Sequence, residues 1–120
     1  MRKNSSVIGY IGEEQAASYL TGKGYQIIGR NFRTKFGEID IIALKEKTLC
    51  FVEVKTRTSD FFGKPEEAVT PRKIGRMNKA AQYYIYKKEP IFKSVRYDLV
   101  SIDFSDSKKS ILTHYKNITG

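Results

Sequence analysis

Two runs rich in β-branched and aromatic residues, GEIDIIAL (37–44) and TLCFVEVKT (48–56), stand only a few residues apart. Strand-like runs this close read as an antiparallel hairpin. Because a strand sends successive side chains to opposite faces, Asp40, Ile42 and Leu44 share one face of the first run. Phe51, Glu53 and Lys55 share a face of the second, and Val52 and Val54 point the other way. With an even-length loop centred on Glu46-Lys47, paired residue numbers sum to 93 and Asp40 stands opposite Glu53. A three- or five-residue loop would shift the register by one and turn Glu53 away. Glu46-Lys47 is not a favoured two-residue turn, which prefers Asn-Gly or Asp-Gly.

Directly opposed side chains lie close together, and like charges there are destabilising. Two carboxylates set face to face between apolar strands therefore call for a counter-charge. A hard divalent cation, Mg²⁺ or Mn²⁺, is the simplest, because it takes carboxylate oxygens together with water and substrate phosphate. Lys55, two residues past Glu53, would flank such a metal and orient an attacking water or stabilise charge on phosphorus. An isolated E-x-K is common and usually means a charged strip on a solvent face. The setting of this one, inside FVEVKTR after GEIDIIA, favours a site.

The remaining elements follow from periodicity and punctuation. Residues from about Ser5 to Gly22 read as a helix, with Ser5 or Ser6 capping its start and Gly22 and Gly24 closing it. Its apolar stripe contains Ile8, Gly12, Ala16 and Leu20. Glu13 falls at the margin of that stripe and Glu14 well outside it. Glu13 is open to two roles, a third metal ligand or a boundary charge, whereas Glu14 is expected in solvent. YQIIGRNF (25–32) reads as a strand, and SDFFGKPEEAV as a loop around Gly63 and Pro65. A second helix runs from Pro71, a favoured first-turn residue, to about Lys88, and Pro90 ends it. RYDLVSIDF (96–104) and ILTHYKNI (111–118) complete the chain as strands. The order α-β-β-β-α-β-(β) predicts an α/β fold, a mixed sheet flanked by helices, in a single domain spanning 1–120. His114 receives no role.

Charge bears on partners. With 22 Lys+Arg against 13 Asp+Glu, the chain carries a formal charge of +9, and polyanions suit such a surface. The second helix sets Arg72, Arg76, Lys79 and Tyr83 opposite its apolar side, with Lys87 nearby. Cations in line can track a phosphate backbone, or can simply form the solvated face of a surface helix. Arg72 and Lys73, at the helix start, are read as nucleic-acid contacts. The lone Cys50 excludes an internal disulfide and a multi-thiolate zinc site. No secretory signal or membrane-length apolar run is visible, so a cytoplasmic protein away from membranes is expected.

From Gly9 to Asp98 the chain, through GEEQAASYLTGKGYQIIGRNFRTKFGEIDIIA and FVEVKTR, resembles the YraN family of small bacterial proteins. That family is regarded as predicted endonucleases of the PD-(D/E)xK class, similar to archaeal Holliday-junction resolvases with the restriction-endonuclease-like fold. The resemblance implies a site of Glu13, Asp40, Glu53 and Lys55, with Glu13, Asp40 and Glu53 holding the metal. It also marks Arg33, Arg57 and the segment VTPRK (69–73) as family-like. Arg33, Arg57, Arg72, Lys73, Arg76 and Lys79 are the expected nucleic-acid contacts. The implied function is metal-dependent cleavage of DNA, branched DNA included, by analogy in a homodimer. The alternative is a non-catalytic nucleic-acid-binding protein on the same fold.

Overall fold

A computed structural model describes residues 2–58, 69–106 and 109–119. The expected loop around Gly63 and Pro65 lies outside the described residues. The elements are α1 (Arg2–Gly22), β1 (Gln26–Arg33), β2 (Glu38–Lys45), β3 (Thr48–Arg57), α2 (Pro71–Lys88), β4 (Ser94–Asp103) and β5 (Ile111–Tyr115). They form one five-stranded sheet in the order β1-β2-β3-β4-β5. All neighbours are antiparallel except β3 and β4, which run parallel. A parallel pair needs a long crossover, and α2 lies in that connection. This mixed α/β sheet is consistent with the restriction-endonuclease-like fold. No helix among the described residues is long and apolar enough to cross a membrane.

The two helices cover opposite faces. Ala16 and Leu20 of α1 pack with Ile41, Ala43, Cys50, Val52, Val100 and Ile102. Ala80, Ala81 and Tyr84 of α2 pack with Ile42, Leu49 and Phe51. Gly12 brings α1 close to the sheet, since a Cβ there would collide with the Thr56 methyl. At the start of α1 the structure corrects the expected cap. The helix already runs at Arg2, so Ser5 and Ser6 lie inside it. Serine at a cap is a preference of a few tenths to about 2 kcal/mol, too weak to stop a helix that continues past it. α2 begins and ends as expected. The Thr70 hydroxyl accepts from the Lys73 N–H, Pro71 opens the first turn, and Glu89 closes the helix in a left-handed conformation.

The hairpin register is decided by its turn. Glu46 (φ 48°) and Lys47 (φ 74°) both lie in the left-handed region, as a two-residue type I′ turn requires. Pairing from Ile41–Val52 to Lys45–Thr48 sums to 93 throughout. The Lys47 carbonyl accepts from Lys93 N (2.7 Å) and Ser94 N (3.2 Å), which holds the turn whatever its side chains. Two non-glycine residues at positive φ carry strain. Glu46→Asn combined with Lys47→Gly should therefore raise unfolding stability by about 0.5–2 kcal/mol. A urea titration checks this, and a loss of stability would show that the native side chains hold the turn.

Candidate metal and phosphate site

At Asp40 the hairpin opens. The paired residues of β2 and β3 end at Ile41–Val52, one step before Asp40 would meet Glu53. Ile39 and Ile42, three residues apart, both pack on the α2 side while Ile41 packs on the other, so strict alternation breaks beside Asp40. The Asp40 side chain takes over from the lost ladder: its Oδ2 accepts the Val54 N–H at 2.8 Å.

A cleft forms where the strands part. Gly37, Glu38 and Asp40 line it from β2 and its approach, and Glu53 lines it from β3. The opposite wall is the start of α2, with Thr70, Arg72, Lys73, Arg76 and Met77. Gly37 lies close against α2, where a Cβ would stand 3.4 Å from the Arg76 Cβ. The partial positive charge of a helix start favours anions, and Arg72 and Lys73 add to it.

The charges in the cleft are strained against one another. Burial, then the neighbouring Glu53 carboxylate, push Asp40 up to about 7, against the stabilising Val54 N–H. Glu13 and Glu38 add smaller contributions in the same direction. Glu53 has a cation of its own: its Oε2 lies 2.8 Å from Lys73 Nζ. Lys73, read from sequence as a nucleic-acid contact, is thus an immediate partner of a candidate metal ligand.

The other expected site residues are distributed unevenly. Lys55 follows Glu53 by two residues on β3 and is exposed; it does not line the cleft. Glu13 does not line the cleft, but its charge acts on Asp40, and burial raises its own carboxyl despite a hydrogen bond from Asn31 and the charge of Arg30. Asn31 (φ 51°) lies on β1 between the Arg30–Ile41 and Phe32–Ile39 partners, level with Asp40. Glu14, expected in solvent, is half-exposed but ion-paired to Arg30 at 2.9 Å. Arg33 pairs with Glu38 at 3.3 Å. Arg57 is partly buried at the end of β3, beside Asp103. Arg76 faces the cleft, and Lys79 lies one turn further along α2.

A divalent ion fits the chemistry of two of these donors. Among the described residues no three His, Cys, Asp or Glu side chains converge as a metal cluster. Mg²⁺, however, is commonly held by one or two carboxylates, with waters and substrate phosphate completing its shell. Asp40 and Glu53 meet that need, and a carboxyl held near neutrality by crowding is one that a cation would relieve.

His114, given no role from sequence, is the centre of a second network on the α1 side. Its Nε2 lies 2.8 Å from Asp98 Oδ2, and its Nδ1 lies 3.1 Å from the Tyr19 hydroxyl. Arg96 donates to both Asp98 oxygens (2.9 and 2.8 Å) and to the Tyr25 hydroxyl (2.6 Å). Asn117 N also donates to Asp98. Asp98 is fully buried, and a lone Asp in RYDLV carries no signal of this. Cys50 lies nearby and is buried; burial and the Asp98 charge push its thiol up to about 11, which makes it inert.

Comparison with known proteins turns on residues 12–102, which match the model of the uncharacterised protein family UPF0102. The chain belongs to the UPF0102 family. Relatives named UPF0102 protein include one from Syntrophomonas wolfei, 51% identical over 104 residues, covering 87% of this chain and 90% of the relative. One from Clostridium perfringens is 44% identical over 118 residues, covering 98% and 97%. One from Mycolicibacterium vanbaalenii is 37% identical over 111 residues, 92% of each. The UPF0102 match spans both candidate carboxylates, Glu13, Lys55 and the basic start of α2, in agreement with the YraN-like reading of the sequence.

Proposed function

We propose that the chain is a metal-dependent endonuclease that hydrolyses phosphodiester bonds in DNA, branched DNA among its substrates. The observation that carries this reading is the opposition of Asp40 and Glu53 to a basic helix start across one open cleft. Carboxylates on one wall suit a divalent metal, and cations on the other suit phosphate. When bound, Mg²⁺ or Mn²⁺ would supply a more acidic water and neutralise charge on the phosphate. Asp40 and Glu53 would hold it, with Glu13 as a further carboxylate from α1. Arg72, Lys73 and Arg76 seat the phosphate backbone. Lys55, outside the cleft lining but two residues past Glu53 on β3, would orient the water that attacks phosphorus as the opposite P–O bond breaks. The chain's part is positioning and charge neutralisation. A homodimer, one copy for each strand, follows from analogy with resolvases alone.

A second reading, nucleic-acid binding without cleavage, draws on the Glu53–Lys73 ion pair, which already gives one carboxylate a cation. The deciding experiment is a cleavage screen over single-stranded, duplex, flap and four-way-junction DNA, with and without Mn²⁺. Cleavage that needs Mn²⁺ is expected, with affinity falling steeply as salt rises. Arg72→Ala should weaken binding to all sequences alike and lower the salt slope by about 1. Salt-dependent binding with no cleavage of any substrate would select the second reading.

A further inference from the structure

Beside the cleft, the connection from β1 to β2 holds an aromatic ring out in solvent. Thr34 organises the connection. Its hydroxyl oxygen accepts from the N–H groups of Phe36 (3.0 Å) and Gly37 (3.1 Å), and its own N–H donates to the Gly37 carbonyl (2.9 Å). Phe36 is 38% exposed on this ordered turn. One exposed ring is unremarkable, but a second stands with it. Tyr83 of α2, 39% exposed, lines one shallow pocket together with Phe36, Arg33, Thr34 and Lys35. The Tyr83 ring is steadied by Phe32, at 6.1 Å between centroids.

Cations surround both rings. Lys35 and Lys79 place their Nζ atoms 5.5 and 5.8 Å from the Phe36 centroid, and Lys87 lies 6.0 Å from that of Tyr83. The neighbouring acid Glu38 is paired to Arg33. The pocket adjoins the cleft. Gly37 closes the Thr34 turn and lines the cleft. Arg76, Lys79 and Tyr83 follow one another on the same stripe of α2, and a rise of 1.5 Å per residue puts Tyr83 about 10 Å beyond Arg76.

We infer that this pocket is a stacking platform for an unpaired nucleobase, so that the substrate of the neighbouring cleft carries a single-stranded stretch beside the scissile phosphate. The inference rests on the proposed phosphodiesterase reading and narrows its substrate. Bases within a duplex present edges and phosphates to a protein, whereas an unpaired base offers a free face to an aromatic ring. Rings interleaved with cations match that combination of flat apolar face and anionic backbone. The positive surround favours a polyanion over a protein segment.

The chain contains no tryptophan, so Phe36→Trp creates a single reporter at the platform. In EDTA its fluorescence should be quenched by unpaired oligodeoxythymidine. It should not be quenched by an abasic strand of equal length, which keeps the phosphates, or by a blunt duplex. A parallel titration with oligouridine tells whether DNA or RNA is preferred. Phe36→Ala and Tyr83→Ala should each weaken single-strand binding roughly 5- to 150-fold while blunt-duplex affinity stays unchanged. Equal quenching by the abasic strand, or unchanged single-strand affinity in both alanine variants, overturns the platform. So does a dimer of the wild type that Phe36→Ala dissociates, which would assign the ring to a second copy. Failure of the nuclease reading shows separately, as absence of Mn²⁺-dependent cleavage, because the quenching is read without metal.

Discussion

Asp40→Asn should abolish the proposed Mn²⁺-dependent cleavage and at the same time make the metal-free protein harder to unfold above neutral pH. Both effects have one cause. Asp40 is crowded by burial and by Glu53, which hold its carboxyl at about 7 in place of the usual 3.8. A carboxyl raised on folding contributes stability that is fully present below about pH 4 and is lost as pH rises to about 7. Asparagine keeps an acceptor for the Val54 N–H and never ionises. In EDTA at pH 8 the variant should gain about 2–4 kcal/mol, and near pH 4 the difference should vanish. Mn²⁺ should raise the melting temperature of the wild type and leave that of Asp40→Asn where it is. Lys55→Ala is the companion. It should lower cleavage by roughly 10²–10³-fold with the melting temperature unchanged, since Lys55 is exposed. Cleavage assays in Mn²⁺ and melting in EDTA read both. Full activity in the two variants would remove these residues from the site.

Asp98→Ala should cost about 3–5 kcal/mol of stability, the range for breaking a buried, hydrogen-bonded charge pair. It strips the partner from Arg96, from the nearly buried His114 side chain (5% exposed) and from Asn117 N. Burial opposes the Asp98 charge, but hydrogen bonds from His114, Arg96 and Asn117 outweigh it and hold the carboxyl at about 2. A carboxyl lowered on folding contributes stability that is present above about pH 4 and lost as pH falls to about 2. The two aspartates thus pull the pH profile in opposite directions, Asp98 weakening the fold in acid and Asp40 weakening it toward neutral pH. Replacing both members of the pair, as in Arg96→Met with Asp98→Leu, should recover much of the loss. Urea titrations at pH 7 measure the series. A cost under about 1 kcal/mol for Asp98→Ala, the level of an exposed ion pair, would mean that the network carries little stability.

These networks mark the reach of sequence reasoning. The hairpin register was legible because it depends on side-chain alternation and on the number of residues in one turn. α2 was legible from Pro71 to Lys88 because its cap, its first-turn proline and its apolar stripe are all local signals. The charged residues opposite Met77, Ala81 and Tyr84 likewise follow from helical rotation alone. Local preferences failed at the start of α1, where serine can either cap a helix or lie within one.

What the amino-acid order leaves open are contacts between groups far apart in the chain. Tyr19 and His114 stand 95 positions apart and still share a hydrogen bond. Lys73 reaches Glu53 because the crossover lays the start of α2 over the gap between β2 and β3. Asn31 turns toward Glu13 through a left-handed backbone beside Asp40. Hydrogen bonding within four residues and alternation along a strand write the elements into the sequence. Which charges those elements neutralise is settled by the order of strands in the sheet and by which helix covers which face. The hairpin register that brings Asp40 and Glu53 to one end of β2 and β3 belongs to the first kind, and the basic wall across the cleft from them belongs to the second.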